Sequence, residues 1–355
     1  AYARASLELA DTFEARRFAV EVLWRGPVAR ILPVKRMARE AGLPDDSSPL
    51  VQFTMSPGGR WLATRGWSNR QVLLFSQNGG PPRALPRQPD GNVSMLAFGP
   101  RGDVLATGGT GSSMRFWSLP ELEEIRSVEL GGLGSVGALG GELALTFTQV
   151  DAAGRDWLWR AWSLPEGKPQ VLENRAGPWD VDPGLTVVAH ARDRTVLVSP
   201  LIPSGDEVER VVGEAGDVIR DIELGPGPDL VASLDRFGEI RVWPIAGSGA
   251  GPLHVFQGPD LAFWHTRFDP RGRYVTQMGS DNSFSLWNLD GPPGTEPRVV
   301  RRGVPSSGAA CEFDSGGRWL VTDIEGDTIE FWSLESPWAR TFPAPSSTVW
   351  HLAFT

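Results

Sequence analysis

Histidine and cysteine side chains, which carry most metal binding and nucleophilic catalysis, are few and scattered in this chain. The single cysteine is Cys311, and none of the four histidines has another histidine or a cysteine at metal-ligand spacing. No serine stands in a nucleophile-elbow pattern, and the spacing supports no catalytic triad. We therefore expect no metal centre, no catalytic residue and no bound cofactor. The histidines are His190, His254, His265 and His351.

Two glycine-rich stretches resemble phosphate-binding loops in the spacing of their glycines. GLGSVG at 132–137 has the glycine spacing of a dinucleotide-binding loop, and GGTGSS at 108–113 resembles a phosphate cradle without its lysine. Such loops need a preceding strand and a following helix whose first turn holds the phosphate. No helix is expected after the first stretch, and the second falls on an expected turn. We therefore expect no dinucleotide site at the first stretch, which lies between an outer strand and the next inner strand, and we interpret the second as a turn.

The tryptophans suggest a different chemistry, the anchoring of a protein partner. The stretch QVDAAGRDWLWRAW at 149–162 is predicted to form a long hairpin in which two tryptophans alternate onto one face. Exposed tryptophan and arginine are the residue types that anchor interfaces. Burial of the same face against a neighbouring element is the alternative, and the sequence leaves both open. The candidates are Trp157, Trp159, Arg155, Arg160 and, in the loop GWSNR, Trp67.

A second group of candidates stands near the beginning of predicted strands. A tryptophan–histidine pair occurs twice, with its histidine three residues before Phe268 in one case and before Phe354 in the other. An arginine–aspartate pair and a further tryptophan take similar places elsewhere. Packing between neighbouring elements would explain the same aromatics, and we favour that interpretation. The candidates are Trp264, His265, Trp350, His351, Arg220, Asp221 and Trp179.

The elements that position these residues repeat along the chain. SPGGRWLAT at 56–64 returns with small changes as GPRGDVLAT at 99–107, GPGPDLVAS at 225–233, DPRGRYVTQ at 269–277 and DSGGRWLVT at 314–322. The turn residue of this phrase recurs every 40 to 45 residues, at Pro57, Pro100, Gly140, Pro183, Pro226, Pro270 and Ser315. A second marker closes the third strand of each unit, at Phe75, Trp117, Trp162, Ser199, Trp243, Trp287 and Trp332. Four short strands in a unit of this length predict a β-propeller.

One unit shows the predicted strands. An inner strand ends at Phe268, a turn follows at 269–273, and YVTQMG and FSLW form the second and third strands. PRVVRRG at 297–303 supplies the outer strand. The proline and glycines set the dihedral angles of the first turn, and the aromatic residue that closes the third strand fills the wedge between adjacent units.

This pattern resembles the WD-repeat β-propeller family over about residues 50–343. The resemblance rests on SPGGRWLAT…VLLF, GPRGDVLAT…MRFW, DPRGRYVTQ…FSLW and DSGGRWLVT…IEFW. It implies an all-β fold, a seven-bladed propeller of four-stranded antiparallel blades, here with an N-terminal helical linker. No unit has the family's Trp-Asp pair or its Gly-His pair before the first strand. We therefore expect the hydrogen-bond network that commonly joins such strands to be incomplete, so that packing contributes more.

The chain divides into four expected parts. Apolar residues at roughly helical spacing, Leu9, Phe13, Val20 and Trp24, predict a helical linker over 1–27. VARILPV at 28–34 matches an outer strand, so 28–49 is predicted to be a closing outer strand and a connector. The seven-bladed propeller is expected over 50–345. TVWHLAFT, within 346–355, aligns with the first strand of a further, truncated repeat.

Charge and composition limit the classes of partner that we expect for this chain. The net charge is −9, divided into +3 over residues 1–40 and −12 over the remainder. An acidic body repels a phosphate backbone, so we expect no nucleic-acid partner. No apolar run reaches the roughly 20 residues that span a bilayer, and one cysteine allows no intrachain disulfide. We expect a cytoplasmic protein that meets a membrane only through an upstream anchor.

The resemblance also implies a function. Propellers of this kind commonly bind proteins or peptides, and in bacterial proteins they often follow a serine/threonine kinase, an NTPase or another signalling module. We therefore expect a non-catalytic protein- or peptide-binding platform, a monomeric domain that is the sensing or docking arm of a larger signalling protein. The alternative is a small-molecule-binding or catalytic propeller that uses its central channel. The candidate polar groups for such a site are His265, His351, Arg220 and Asp221. A purely structural spacer is the third hypothesis.

Overall fold

The computed structural model describes most of the propeller. It covers residues 28–43, 50–66, 71–88, 91–111, 113–130, 134–140, 143–149, 157–163, 168–172, 177–202, 209–227, 229–246, 251–258, 262–279, 284–292, 297–301, 311–324 and 328–334. These residues form 28 strands and one helix, and the strands pair antiparallel in seven groups of four. The predicted all-β, seven-bladed propeller is confirmed.

Six blades are continuous in sequence. Blade 1 is β2 (Leu50–Met55), β3 (Trp61–Gly66), β4 (Val72–Ser76) and β5 (Arg83–Ala84). Blade 2 is β6 (Val93–Phe98), β7 (Val104–Gly109), β8 (Ser113–Ser118) and β9 (Glu124–Glu129). Blade 3 is β10 (Gly134–Gly140), β11 (Leu143–Gln149), β12 (Trp157–Ser163) and β13 (Lys168–Val171). Gly134 also pairs with Gly109, so a backbone bridge joins blades 2 and 3.

The next three blades follow the same order. Blade 4 is β14 (Trp179–Val181), β15 (Val187–Arg192), β16 (Thr195–Pro200) and β17 (Arg210–Glu214). Blade 5 is β18 (Ile219–Leu224), β19 (Leu230–Asp235), β20 (Glu239–Pro244) and β21 (His254–Gln257). Blade 6 is β22 (Ala262–Phe268), β23 (Tyr274–Gly279), β24 (Phe284–Asn288) and β25 (Arg298–Arg301).

Blade 7 combines distant parts of the chain. Its first three strands are β26 (Cys311–Phe313), β27 (Trp319–Ile324) and β28 (Thr328–Ser333), and its outer strand is β1 (Val28–Pro33). Within that pairing Ile31 lies opposite Glu330. The last blade therefore takes its fourth strand from the N-terminal part of the described chain, and the ring of blades is closed.

A short helix that the sequence analysis did not predict follows β1. Helix α1 (Val34–Glu40) begins directly after Pro33, where the strand ends, so Val34 is helical rather than part of the strand predicted over 28–34. Val34 and Ala38 are buried, four residues apart on one face, as an amphipathic helix requires. The helix predicted within 1–27 and the strand predicted within 346–355 lie outside the described residues.

The repeated phrase forms the turn between the first and second strands. Asp269 Oδ1 accepts a hydrogen bond from the Tyr274 amide at 2.8 Å, and Asp314 Oδ1 accepts one from the Trp319 amide at 2.6 Å. Gly272 has φ 68°, a left-handed conformation that favours glycine. The phrase recurs because each blade makes the same turn, and in blades 6 and 7 an aspartate side chain satisfies its backbone N–H groups.

Apolar packing between blades forms the core. Seven clusters of buried side chains each join two adjacent blades around the ring, including the pair of blades 7 and 1. Phe284 and Leu286 face blade 7, whereas Trp287, next along the same strand, packs on blade 5. Both faces of a blade are therefore buried, although each strand alternates its side chains.

The markers on the third strands pack as expected, and most keep a hydrogen bond. Trp117, Trp162, Trp243 and Trp332 each donate from Nε1 to a hydroxyl on the second strand of the same blade. The acceptors are Thr107 at 3.0 Å, Thr146 at 2.7 Å, Ser233 at 3.1 Å and Thr322 at 3.0 Å. Blade 1 has Phe75 as its marker, which has no N–H to donate, and the buried Thr64 Oγ1 has no hydrogen-bond partner. The network is incomplete in that blade.

Two equivalent threonines should therefore respond in opposite ways to the same substitution. We expect Thr322→Val to lower the free energy of unfolding by about 1–2 kcal/mol, because Trp332 Nε1 stays buried without an acceptor. Thr64→Val should be neutral or stabilising by up to about 1 kcal/mol, because it removes an unpaired buried hydroxyl. Urea unfolding of both variants provides the measurement. Equal losses would contradict this assignment.

Candidate functional site

The strand directions define two rims of the propeller. Because neighbouring strands in a blade run antiparallel, the start of each inner strand and the turn between its second and third strands lie at the same end. We call this end the upper rim. The repeated turn between the first and second strands lies at the opposite end, the lower rim. The inner strands of the seven blades surround the central channel.

The structure places eight of the candidate residues on strands that meet the upper rim. Trp179 begins β14, Arg220 and Asp221 follow the first residue of β18, and Trp157 begins β12. Trp159 and Arg160 lie further along β12, and Trp264 and His265 lie on β22. For Trp157, Trp159, Trp264 and His265 the structure describes the position in the strand and not the side chain. Trp67, Arg155, Trp350 and His351 lie outside the described residues.

Three of these candidates, Trp179, Arg160 and Asp221, make contacts within the fold. Trp179 is half-buried and packs against the apolar cluster of blades 3 and 4. Arg160 donates from Nη1 to the carbonyl oxygen of Leu130 at 3.0 Å, which joins blade 3 to blade 2. Arg220 is exposed near the upper rim, whereas Asp221 belongs to a half-buried polar set.

That polar set, which the sequence analysis missed apart from Asp221, lines one side of the channel. In every repeat the third residue before the turn marker falls on the inner strand, and in four consecutive blades it is charged. From blade 1 to blade 7 these residues are Thr54, Ala97, Gly137, Asp180, Glu223, Arg267 and Glu312. We define the channel belt as Asp180, Asp221, Glu223, Arg267 and Glu312. Alignment of the repeats on their turn markers would have revealed it.

Three carboxylates of the channel belt connect neighbouring blades. Asp180 Oδ2 accepts a hydrogen bond from the Leu224 amide at 2.7 Å, which joins blade 4 to blade 5. Asp221 Oδ2 accepts one from the Thr266 amide at 2.7 Å, which joins blade 5 to blade 6.

Glu312 makes the corresponding link where the ring closes. Its Oε2 atom accepts a hydrogen bond from the Met55 amide at 3.0 Å, which joins blade 7 to blade 1. In all three links a carboxylate on one inner strand therefore satisfies a backbone N–H of the next.

Arg267 provides the positive charge of the channel belt. Its Nη1 atom lies 2.7 Å from Glu223 Oε2, across the boundary between blades 5 and 6, and 2.9 Å from the carbonyl oxygen of Thr266. The side chains of Arg267 and Glu223 keep exposed fractions of 34% and 16%, and both lie on inner strands that surround the channel. They therefore line a water-accessible channel inside the molecule.

The enclosed position of the channel belt shifts the pKa values of its side chains. Burial raises the pKa of Asp221 to about 7 and that of Glu312 to about 7. Burial also raises the pKa of Asp180, and it raises the pKa of Glu223 well above its usual range. The Arg267 guanidinium opposes the rise at all four carboxyls. The Glu223 carboxylate in turn raises the pKa of Arg267, which stays charged.

The upper rim carries an exposed aromatic residue that the sequence analysis did not select. Phe237 lies in the turn between β19 and β20 with 57% of its surface exposed. The Arg236 guanidinium lies over its ring, 4.8 Å from the centroid. In WD-repeat propellers an aspartate commonly takes the place that Phe237 has in this turn. The absence of that aspartate was the sequence signal that could have identified Phe237.

The described residues offer no support for metal or thiolate chemistry. Among them no group of three or more histidine, cysteine, aspartate or glutamate side chains has an arrangement that could hold a metal ion. Burial raises the pKa of the Cys311 thiol to about 12, so at neutral pH it is a protonated, buried side chain. Helix α1 is the one helix of the described part, and nothing there has the length and apolarity of a membrane-spanning helix.

Comparison with known proteins agrees with the fold. Residues 81–118 match the WD40 family model, described as a WD domain, G-beta repeat. This segment has the length of one repeat and runs from β5 through the third strand of blade 2. No curated protein matches the chain. The match and the seven-bladed ring together confirm the resemblance to WD-repeat propellers.

Removal of the positive charge from the channel belt should destabilise the fold in a pH-dependent way. We expect Arg267→Met to lower the free energy of unfolding at pH 8 by roughly 2–3 kcal/mol, less than for a fully buried pair because channel water screens the charges. The loss should be smaller at pH 5.5, where the carboxyls with raised pKa values bind protons. Urea unfolding at both values measures the effect.

Arg220→Met supplies the matched control. Arg220 lies beside the channel belt on β18 but is exposed, so its substitution should change the free energy of unfolding by no more than about 0.5 kcal/mol at either pH. Similar losses for the two variants, or a loss at Arg267 that does not vary with pH, would contradict the role given to Arg267.

Proposed function

We propose that this propeller is a non-catalytic platform that binds a protein or peptide at its upper rim. The observation that carries the proposal is the closed ring, in which seven apolar clusters hold the blades in fixed positions. A ring of this kind presents loops from several blades on a scaffold that need not move. WD40 propellers commonly serve as interaction platforms, although fold by itself does not determine function.

The chemistry of the upper rim supports this proposal. Phe237 offers a large exposed aromatic surface, with a guanidinium over one face of its ring. Arg220 is exposed at the start of the neighbouring inner strand. Aromatic residues and arginine are enriched among the side chains that contribute most to binding free energy. The candidates Trp157 and Trp159 begin the third strand of blade 3 at the same rim.

The finer part of the proposal concerns the parent protein. We infer that the platform is the sensing or docking arm of a larger bacterial signalling protein, such as a serine/threonine kinase, and that it acts in the cytoplasm as a monomeric domain. The support is the resemblance to WD-repeat propellers found beside such modules. In this arrangement the platform binds the partner, and the catalytic step belongs to the other module.

Rim variants should separate binding from folding. Peptides selected from a displayed random library on the immobilised propeller provide the probe, and calorimetry measures their Kd. We expect the double variant Phe237→Ser/Arg220→Ala to weaken binding at least about tenfold, the scale expected for loss of an anchoring side chain. Trp157→Ala and Trp159→Ala test the candidates of blade 3 in the same assay.

Ile125 provides the control for general exposure of apolar surface. It is 57% exposed, as Phe237 is, but lies on β9, the outer strand of blade 2, away from the upper rim. Ile125→Ser should leave the Kd unchanged. Peptides that lose affinity with Ile125→Ser and keep it with the Phe237/Arg220 variant would contradict a binding site at the upper rim.

The channel belt favours a second candidate function, the binding of a small polar molecule in the central channel. Its carboxylates and guanidinium converge from four blades, opposite the small residues Thr54, Ala97 and Gly137. In this case Asp221→Asn and Glu223→Gln would abolish binding of the small molecule, whereas the rim variants would not. The structural-spacer hypothesis predicts no binding loss in either set.

A further inference from the structure

The contacts of the channel belt lie across the boundaries between blades. Asp180, Asp221 and Glu312 hold backbone amides of the following blade, and Glu223 holds Arg267 in the following blade. These contacts involve the boundaries of blades 4 and 5, 5 and 6, and 7 and 1. The inner ends of the blades are therefore joined by groups that can gain and lose protons.

The charges of the belt do not balance when every carboxyl is ionised. Four carboxylates then surround one guanidinium, which leaves three negative charges without a partner inside the belt. The opposite side of the channel contributes Thr54 and Ala97, which carry no charge. Like charges held close together in an enclosed site favour the uptake of protons.

The elements packed against the belt add few titratable groups. Strand β15, which packs on β18, carries His190, whose Nε2 atom lies 2.6 Å from Glu209 Oε1. Asp182 lies next to β14 and acts on Asp180, whereas Cys311 precedes Glu312 on β26 and stays protonated. Strand β2 carries Thr54 and Met55 opposite Glu312 and has no charged residue. His265 lies on β22 at the repeat position that Asp221 has in β18. The experiment below therefore includes a His265 variant, so that its contribution to the pH dependence of stability is measured separately.

We propose that the channel belt is a proton-dependent clasp that holds the inner ends of the blades together more tightly when Asp221 and Glu312 are protonated. A protonated carboxyl still accepts a backbone hydrogen bond through its carbonyl oxygen, so the links to Leu224, Thr266 and Met55 persist. Protonation removes the repulsion among the carboxylates and the cost of keeping them charged in an enclosed channel. Loss of the protons reverses both gains and loosens the boundaries.

The direction of the effect follows from proton linkage. Asp221 and Glu312 have pKa values of about 7 in the folded protein, above those of the unfolded chain. Between the two values the folded state binds more protons than the unfolded state, so stability falls as pH rises through this range. Each carboxyl changes the folding equilibrium by up to about tenfold per pH unit, and by less where channel water screens its charge.

Urea unfolding between pH 5.5 and 8 tests the clasp. For the wild type, we expect the folding equilibrium constant to fall at least about tenfold over this range. Asp221→Asn/Glu312→Gln keeps an oxygen acceptor at both positions without a charge, and should remove most of the fall. The exposed control pair Asp229→Asn/Glu123→Gln, and His265→Gln, should each keep the wild-type fall. The clasp is overturned if the belt variant keeps the fall or if His265→Gln removes it.

Hydrogen exchange on the wild type gives an independent test should the belt variant fail to fold. The amides of Leu224, Thr266 and Met55 donate to the belt, whereas the amide of Ile240 lies in the buried β20. After correction for the intrinsic pH dependence of exchange, protection of the three belt amides should fall relative to Ile240 as pH rises from 5.5 to 8. A constant ratio across that range would overturn the proposal.

Discussion

Burial of both faces of every blade is the constraint on which this structure depends. A four-stranded blade with two apolar faces cannot bury either face in isolation, so each blade needs a neighbouring blade on each side. Only a closed ring meets that requirement for all seven. Pairing of β1 with β28 completes blade 7, and the cluster that joins blades 7 and 1 includes Leu32 from β1 and Phe53 from β2. The fold is therefore a cooperative unit rather than a row of independent repeats.

The same constraint explains why a set of enclosed charges is tolerated at the inner ends of the blades. Because the apolar clusters between blades supply the packing, the residues along the channel are free to depart from the repeat pattern. Blades 4 to 7 have charged residues where blades 1 to 3 have Thr54, Ala97 and Gly137. Proteins commonly accept such local costs at functional positions. We therefore propose that function resides at the channel belt and the upper rim.

Most of the fold was predictable because it is repeated. Turn markers such as Pro57 and closing aromatics such as Trp332 recur at nearly constant intervals, and the number of blades and the position of their strands follow from that spacing. Helix α1 was not predictable in this way, because it occurs once and its apolar face is only Val34, Met37 and Ala38. The channel belt was missed for a different reason: Asp180, Glu223, Arg267 and Glu312 share a repeat position but not a residue type.

The candidate site was less predictable than the fold. Asp221 was selected from sequence and lies in the channel belt, but its partner amide on Thr266 depends on how two blades meet. Phe237 was not selected from sequence, and its exposure follows from the turn between β19 and β20. Trp179 was selected as a partner-binding candidate and packs in a cluster between blades, which is the alternative that the sequence analysis favoured.

Closure of the ring is the central claim, and disulfide trapping tests it most directly. Ile31 of β1 and Glu330 of β28 are opposite each other in the closing pair, so cysteines at these positions should form a disulfide under mild oxidation and raise the urea midpoint. Cysteines at Ile31 and at Val299, on the outer strand of blade 6, should not become linked. Linkage of the first pair and not the second is the result that the closed ring predicts. Failure of the first pair to form, in a folded protein, would contradict it.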